Sequence, residues 1–231
     1  GATKVIGTDR TAAEATVSNG LTAFGSDGFS VGNDANVNDS SDSHVAWCWK
    51  SGASFSNDAS ATSIGSIDSS GVASSDSGLS IFTFTSTGSQ STIAHNLGSA
   101  PDLYIIKKRN STGHWFLYTT TIDGSLDRFL INGTHAKGDD SNTVPSSTVI
   151  TSDNGSTSDT MVCYAFKMHQ GFSKFGSYLA NNSADGNFLY LGFKPAFFMV
   201  KSASGGSASA RNWRIYDNKR RAINEMDDQL Y

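Results

Sequence analysis

One stretch of this chain occurs twice, and any fold must accommodate both copies. Leu97-Gly98-Ser99-Ala100-Pro101-Asp102-Leu103-Tyr104-Ile105-Ile106-Lys107 is followed by Trp115-Phe116-Leu117-Tyr118. Leu191-Gly192-Phe193-Lys194-Pro195-Ala196-Phe197-Phe198-Met199-Val200-Lys201 is followed by Trp213-Arg214-Ile215-Tyr216. Leu-Gly-x-x-Pro, an apolar run closed by Lys, a polar stretch and Trp-x-x-Tyr thus recur with a period of roughly 95 residues, the signature of a modular chain. Gly98 and Gly192 suit a positive φ, and Pro101 and Pro195 suit the first residue of a strand. The apolar runs predict strands that emerge into water at Lys107 and Lys201, and residues 110–113 and 202–209 read as connections to return strands.

The repeat sets the expected boundaries. Residues 1–50 read as the back half of a module. Their Val45-Ala46-Trp47-Cys48-Trp49-Lys50 matches Val162-Cys163-Tyr164-Ala165-Phe166-Lys167 and should form the same strand. Residues 51–77, rich in Ser, Gly and Asp, predict a loosely packed linker. Residues 78–170 form a complete central module, and residues 171–231 restart the pattern as a front half. The tail, 218–230, has a helical look without an apolar stripe. The chain reads as a section of a longer polypeptide, and the two half modules are expected to complete one sandwich, within the chain or between neighbouring copies.

Turn-forming residues joining short β-branched and aromatic runs predict an all-β fold of tandem antiparallel β-sandwich modules, jelly-roll-like. The 231 residues carry a net charge of −4, with only 16% charged residues. No basic field draws nucleic acid, and no apolar run predicts membrane insertion. The two cysteines, Cys48 and Cys163, read as small buried thiols rather than a disulfide pair.

Candidate chemistry is sparse, so no catalytic, cofactor-binding or metal residue is assigned and the chain is not expected to be an enzyme. The five histidines, His44, His95, His114, His135 and His169, show no ligand spacing. His95, before the Leu-Gly corner, has Leu189 as its counterpart and reads as a packing residue. Residues 33–42 have the composition of a calcium loop, but Asp39 and Val45 stand where Gly and Glu are needed. Acids such as Asp27, Asp123 and Asp185 precede glycines, where turn geometry accounts for them. The paired aromatics Trp115, Tyr118, Trp213 and Tyr216 are candidate glycan-stacking residues, with burial in two equivalent cores as the opposing reading.

Thr92-Ile93-Ala94-His95-Asn96-Leu97-Gly98, with Tyr164-Ala165-Phe166 and Gly171-Phe172-Ser173-Lys174-Phe175-Gly176-Ser177-Tyr178, resembles a repeat module of tail-fibre-like or virion structural proteins of marine tailed bacteriophages. Asp185-Gly186-x-Phe188 and Trp213-x-Ile215-x-Asp217 resemble the same family. The resemblance implies a non-enzymatic structural role on the extracellular particle surface, in a tail fibre or another component. The implied partners are other virion proteins, further copies of the chain and host-surface glycan. The alternative is a carbohydrate-binding module recognising that glycan, which would need exposed indoles among Trp47, Trp49, Trp115 and Trp213.

Overall fold

The computed structural model describes residues 1–50, 52–204 and 211–218, so the expected tail helix lies outside the described residues. In chain order the elements are β1 (Lys4–Val5), β2 (Ala15–Thr16), β3 (Leu21–Phe24), β4 (Phe29–Val31), α1 (Ala35–Asn38), β5 (Ala53–Asn57), α2 (Ala59–Thr62), β6 (Ser69–Ser74) and β7 (Leu79–Thr85). They continue as β8 (Ser91–Ala94), β9 (Leu103–Lys108), β10 (Phe116–Thr119), β11 (Asp127–Leu130), β12 (Gly138–Asp139), β13 (Val149–Ser152), β14 (Thr160–Phe166), β15 (Phe197–Val200) and β16 (Arg214–Asp217). The fold is all-β, as the turn-rich composition predicts.

Eight strands form one antiparallel sheet in the order β12-β11-β10-β9-β14-β7-β6-β5. β14 arrives last and lands between β7 and β9, pairing Cys163 with Phe82 on one side and with Ile106 on the other. Side chains alternate across a strand. Phe82, Phe84, Tyr104, Ile106, Met161, Cys163 and Ala165 therefore share one buried face. The β8–β13 ribbon covers that face through Ile93 and Ile150, both wholly buried in the same cluster. This is the sandwich core.

The N-terminal segment wraps the other face. Gly113 N–H donates to Thr11 O at 2.9 Å and Glu14 N–H to Arg109 O at 2.7 Å. Trp115 Nε1 donates to Gly7 O at 2.8 Å, and its indole stacks on Tyr164. Lys107, expected at a strand end in water, is wholly buried under this strap. Its ammonium donates to Thr11 O at 3.2 Å, and burial lowers its pKa. Lys201 is half-buried and donates to Gly133 O at 2.9 Å. A lysine closing an apolar run thus signals an inward stem with its head on a carbonyl, not the end of burial.

The repeat is real at the level of register. In the central module Leu103 pairs with Thr119 and Tyr104 with Tyr118; in the second copy Phe197 pairs with Asp217 and Phe198 with Tyr216. Offsets of 94 and 98 residues map one set onto the other (197 − 103 and 198 − 104; 217 − 119 and 216 − 118). Tyr104 stacks on Tyr118 and Phe198 on Tyr216, and Gly98 and Gly192 take positive φ of 73° and 84°.

Two expectations are overturned. Residues 53–57 and 69–74 of the expected linker are the outer strands β5 and β6 of the main sheet, with Phe55 and, from the connection between them, Ile67 on the core. Their polar residues satisfy one another: Asp58 caps α2, Asn57 donates to Ile64 O, Asp68 accepts from Ala59 N–H and Ser69 donates to Ala94 O. Gly71 is needed where β6 meets β7, since a Cβ there would lie 2.1 Å from Ile81 O. The central module accordingly begins at β5 rather than at residue 78. Conversely, residues 45–50 form no strand. Their counterpart β14 is held by β7 and β9, whereas these residues have no paired neighbour, and Cys48 is exposed while Cys163 is buried. Strand pairing between the half modules is absent among the described residues, although Trp47 meets the ring of Phe197 edge-on at 5.2 Å.

Trp115→Ala should cost about 3–5 kcal/mol, the range for a large core aromatic. Trp213→Ala should cost distinctly less, because Trp213 is only half-buried. Denaturant melts of the two variants check this order. Limited proteolysis of the native chain should spare residues 53–74 and cut first in the irregular, exposed segments 39–44 and 176–190, read by mass spectrometry of the fragments.

Candidate functional site

The four candidate stacking residues divide. Trp115 and Tyr118 are buried, and Trp213 and Tyr216 are half-buried. Tyr118 stacks on Tyr104 at 4.8 Å, and its hydroxyl accepts from Asn154 Nδ2 at 2.6 Å. Burial pushes its pKa up. Trp213 donates to Leu130 O at 2.9 Å, sets its edge against Phe129 and carries the Lys201 ammonium over its face. These rings hold the hairpins to the sheet. The exposed indoles are instead Trp47 (40%) and Trp49 (56%), in the segment that lacks strand neighbours.

His95 is wholly buried at the Leu-Gly corner. Leu97 N–H donates to Nδ1 at 3.2 Å, which leaves the proton on Nε2 to donate to Ser146 O at 3.2 Å. Both ring nitrogens are thus committed in the neutral form, and burial lowers its pKa from the ordinary 6.5. The ring ties the corner to the turn before β13. This is the packing role that the Leu189 counterpart suggests.

Residues 33–42 hold their acids in local turns. Asp34 caps α1 through Asn36 N–H, and Asp39 accepts from Ser41 N–H. A carboxylate cluster that sequence spacing did not signal lies elsewhere: Asp123, Asp127 and Asp139 bring ligand atoms within 4.8 Å of one another. Strand pairing of β11 with β12 places Asp127 opposite Asp139, and the turn before β11 adds Asp123. The Lys137 ammonium sits among them at 3.0 Å from Asp123, 2.5 Å from Asp127 and 2.8 Å from Asp139. Its pKa is driven well up by hydrogen bonds to the three carboxylates, Asp127 first. Asp123 is held down to about 2 by the Ser125 hydroxyl and then by Lys137. The ammonium fills the position a cation would take, so the cluster is an internal ion network that pins the sheet edge.

An open groove of about 440 Å³ runs beside β6 and β7 and is lined by Asn57, Asp58, Asp68, Thr83, Arg109 and Thr160 among others. Arg109 is already engaged with Glu14 at 2.8 Å. Hydroxyls and carboxylates in an open groove suit a polyhydroxylated ligand better than an apolar one.

Among the described residues the most exposed large apolar groups belong to the half modules. Phe188, Tyr190 and Leu179 are over 80% exposed, and Phe197 and Phe198 of β15 are about half as exposed. Trp47 meets Phe197 edge-on, and Phe198 stacks on Tyr216. Among the described residues no helix is long and apolar enough to cross a membrane.

The unfolded chain binds a proton at His95 near pH 6.5, whereas the native chain resists it to lower pH. The folded state therefore loses stability as pH falls below about 6.5 and regains it as pH rises. His95→Gln should flatten this slope between pH 7 and about 5, as read from thermal melts of both proteins across that range.

A family described as a domain of unknown function (DUF7483) matches residues 1–231. No curated protein and no solved structure matches the chain.

Proposed function

Since the chain belongs to this family along its whole length, and the family's description assigns no activity, we propose from the residues and geometry that it is a non-enzymatic structural protein of a tailed-phage particle. It serves as a β-sandwich scaffold on the virion surface, in a tail fibre or another exposed component, for assembly or host attachment. The observation that carries this reading is the set of large apolar side chains that the second repeat copy leaves exposed. It keeps the hairpin register of the central module, yet Leu179, Phe188 and Tyr190 are each over 80% exposed. Exposed apolar groups of this size in a repeated unit suit a protein built to join others. The resemblance of the Leu-Gly corner and of residues 171–178 to virion structural repeats supports the same role. The basic triplet does not oppose it: Lys107 is buried, Lys108 pairs with Asp159 and Arg109 with Glu14, so little free charge remains for nucleic acid.

Glycan binding is the second reading, favoured by the hydroxyl- and carboxylate-lined groove and by exposed Trp47 and Trp49. The two readings separate in one experiment. Antibody raised against the chain should decorate intact particles of the encoding phage in immunogold microscopy, at a fixed place on each particle. Purified virions that carry no label and contain no peptide of the chain by mass spectrometry would remove the structural role, leaving glycan binding to be judged by array.

A further inference from the structure

The central module states what β15 lacks. β9 lies between β10 and β14, whereas its counterpart β15 has β16 on one side and, among the described residues, no strand on the other. The missing neighbour corresponds to β14, and the only other segment in the chain that repeats the sequence of β14 is residues 45–50. Position by position, Trp47 corresponds to Tyr164, Cys48 to Ala165 and Trp49 to Phe166. In the central module Phe166 pairs with Leu103, Ala165 with Tyr104 and Tyr164 with Ile105.

We infer that residues 45–50 dock as a strand on the open edge of β15 within the same chain, with Trp49 opposite Phe197, Cys48 opposite Phe198 and Trp47 opposite Met199. Three observations support this occupant. The hairpin β15–β16 already reproduces the register of β9–β10, so its free edge offers donors and acceptors at the spacing that β9 offers β14. The segment already lies there: Trp47 touches Phe197 at 5.2 Å, and Trp49 meets Phe166 at 6.5 Å. Contact by Trp47 instead of Trp49 is a displacement of two residues, about 7 Å of strand, which preserves which side chains face the core. Docking would also cover Trp47, Trp49, Phe197 and Phe198, which are otherwise 40–56% exposed.

The observed neighbour contact is what selects this segment of the same chain over a second copy. A second copy would have to displace Trp47 from Phe197 before pairing. The closed form makes residues 21–50 and 171–218 the two parts of one further sandwich, joined through the central module.

Cys48 supplies the test, because it is exposed and faces position 198 in the inferred register. Directly opposed residues of antiparallel strands lie within disulfide range. Cys163 is fully buried with its thiol pKa raised, so it stays out of the reaction. Mild oxidation of the dilute full chain carrying Phe198→Cys should yield a monomer in which Cys48 is linked to the thiol introduced at position 198, seen on a non-reducing gel and by peptide mapping. Met199→Cys, one residue out of register and facing the other side, should not crosslink.

Crosslinked dimers in Phe198→Cys would overturn the inference in favour of a second copy. The absence of any link, or equal linking in both variants, would overturn the pairing or its register. Hydrogen exchange on the unsubstituted chain guards against a variant that misfolds. Amides of residues 45–50 should exchange about tenfold or more slowly than those of residues 39–44, as paired strands do against open loops. Equal rates would count against docking even if the variants fail to fold.

Discussion

The double pairing of β14 is the interaction on which this molecule depends. The strand meets β7 over seven residue pairs and β9 over six. Without it the main sheet would fall into two separate meanders, β5-β6-β7 and β9-β10-β11-β12, each with one face bare. Because β14 fixes how those meanders align, it also places Cys163, Ala165 and Met161 in the seam between Phe82 and Tyr104, where the β8–β13 ribbon can cover them. The contrast with residues 45–50 shows how little the strand owes to its own sequence. A near copy with two tryptophans is irregular where no two strands flank it as β7 and β9 flank β14, as expected if strand propensity is mainly a fit to neighbours.

Charge enters this fold as a fastener at its margins. Arg109 and Glu14 hold the N-terminal strap, Lys108 and Asp159 close the 109–113 turn against the start of β14, and Lys137 gathers the sheet edge. The buried ends of these contacts are the informative ones. Asp127 is wholly buried beside Lys137, and Lys107 rests its ammonium on one carbonyl under the strap. Burial of either group without its partner would be costly. The strap and the edge loop are thus parts of the fold rather than ornaments on it.

Much of this was legible in the residues. The Leu-Gly-x-x-Pro corners, the strands after them and the Trp-x-x-Tyr returns lie where turn and strand chemistry put them, because each is a local signal with a local cause. What escaped was decided by distant neighbours. Residues 53–74 look too polar for a sheet, yet at its outer edge Ser, Gly and Asp bond to one another and need only Phe55 and Ile67 to reach the core. Lys107 looked solvated because nothing near it in sequence announces that residue 11 lies across it. The aspartate cluster was invisible for the same reason: 123, 127 and 139 meet only because β11 and β12 pair.

Chain order gives the central strand a consequence in time. β7 ends at residue 85 and β14 begins at residue 160. At synthesis rates of about 5–20 residues per second, roughly 4–15 s pass between the emergence of one and the other. From residue 108 onward in that interval the inner edges of β7 and β9 are both made and both unpaired, and the seam that will be the driest part of the core is open to any passing strand. A nascent chain of this kind spends its most vulnerable moments waiting for its own centre.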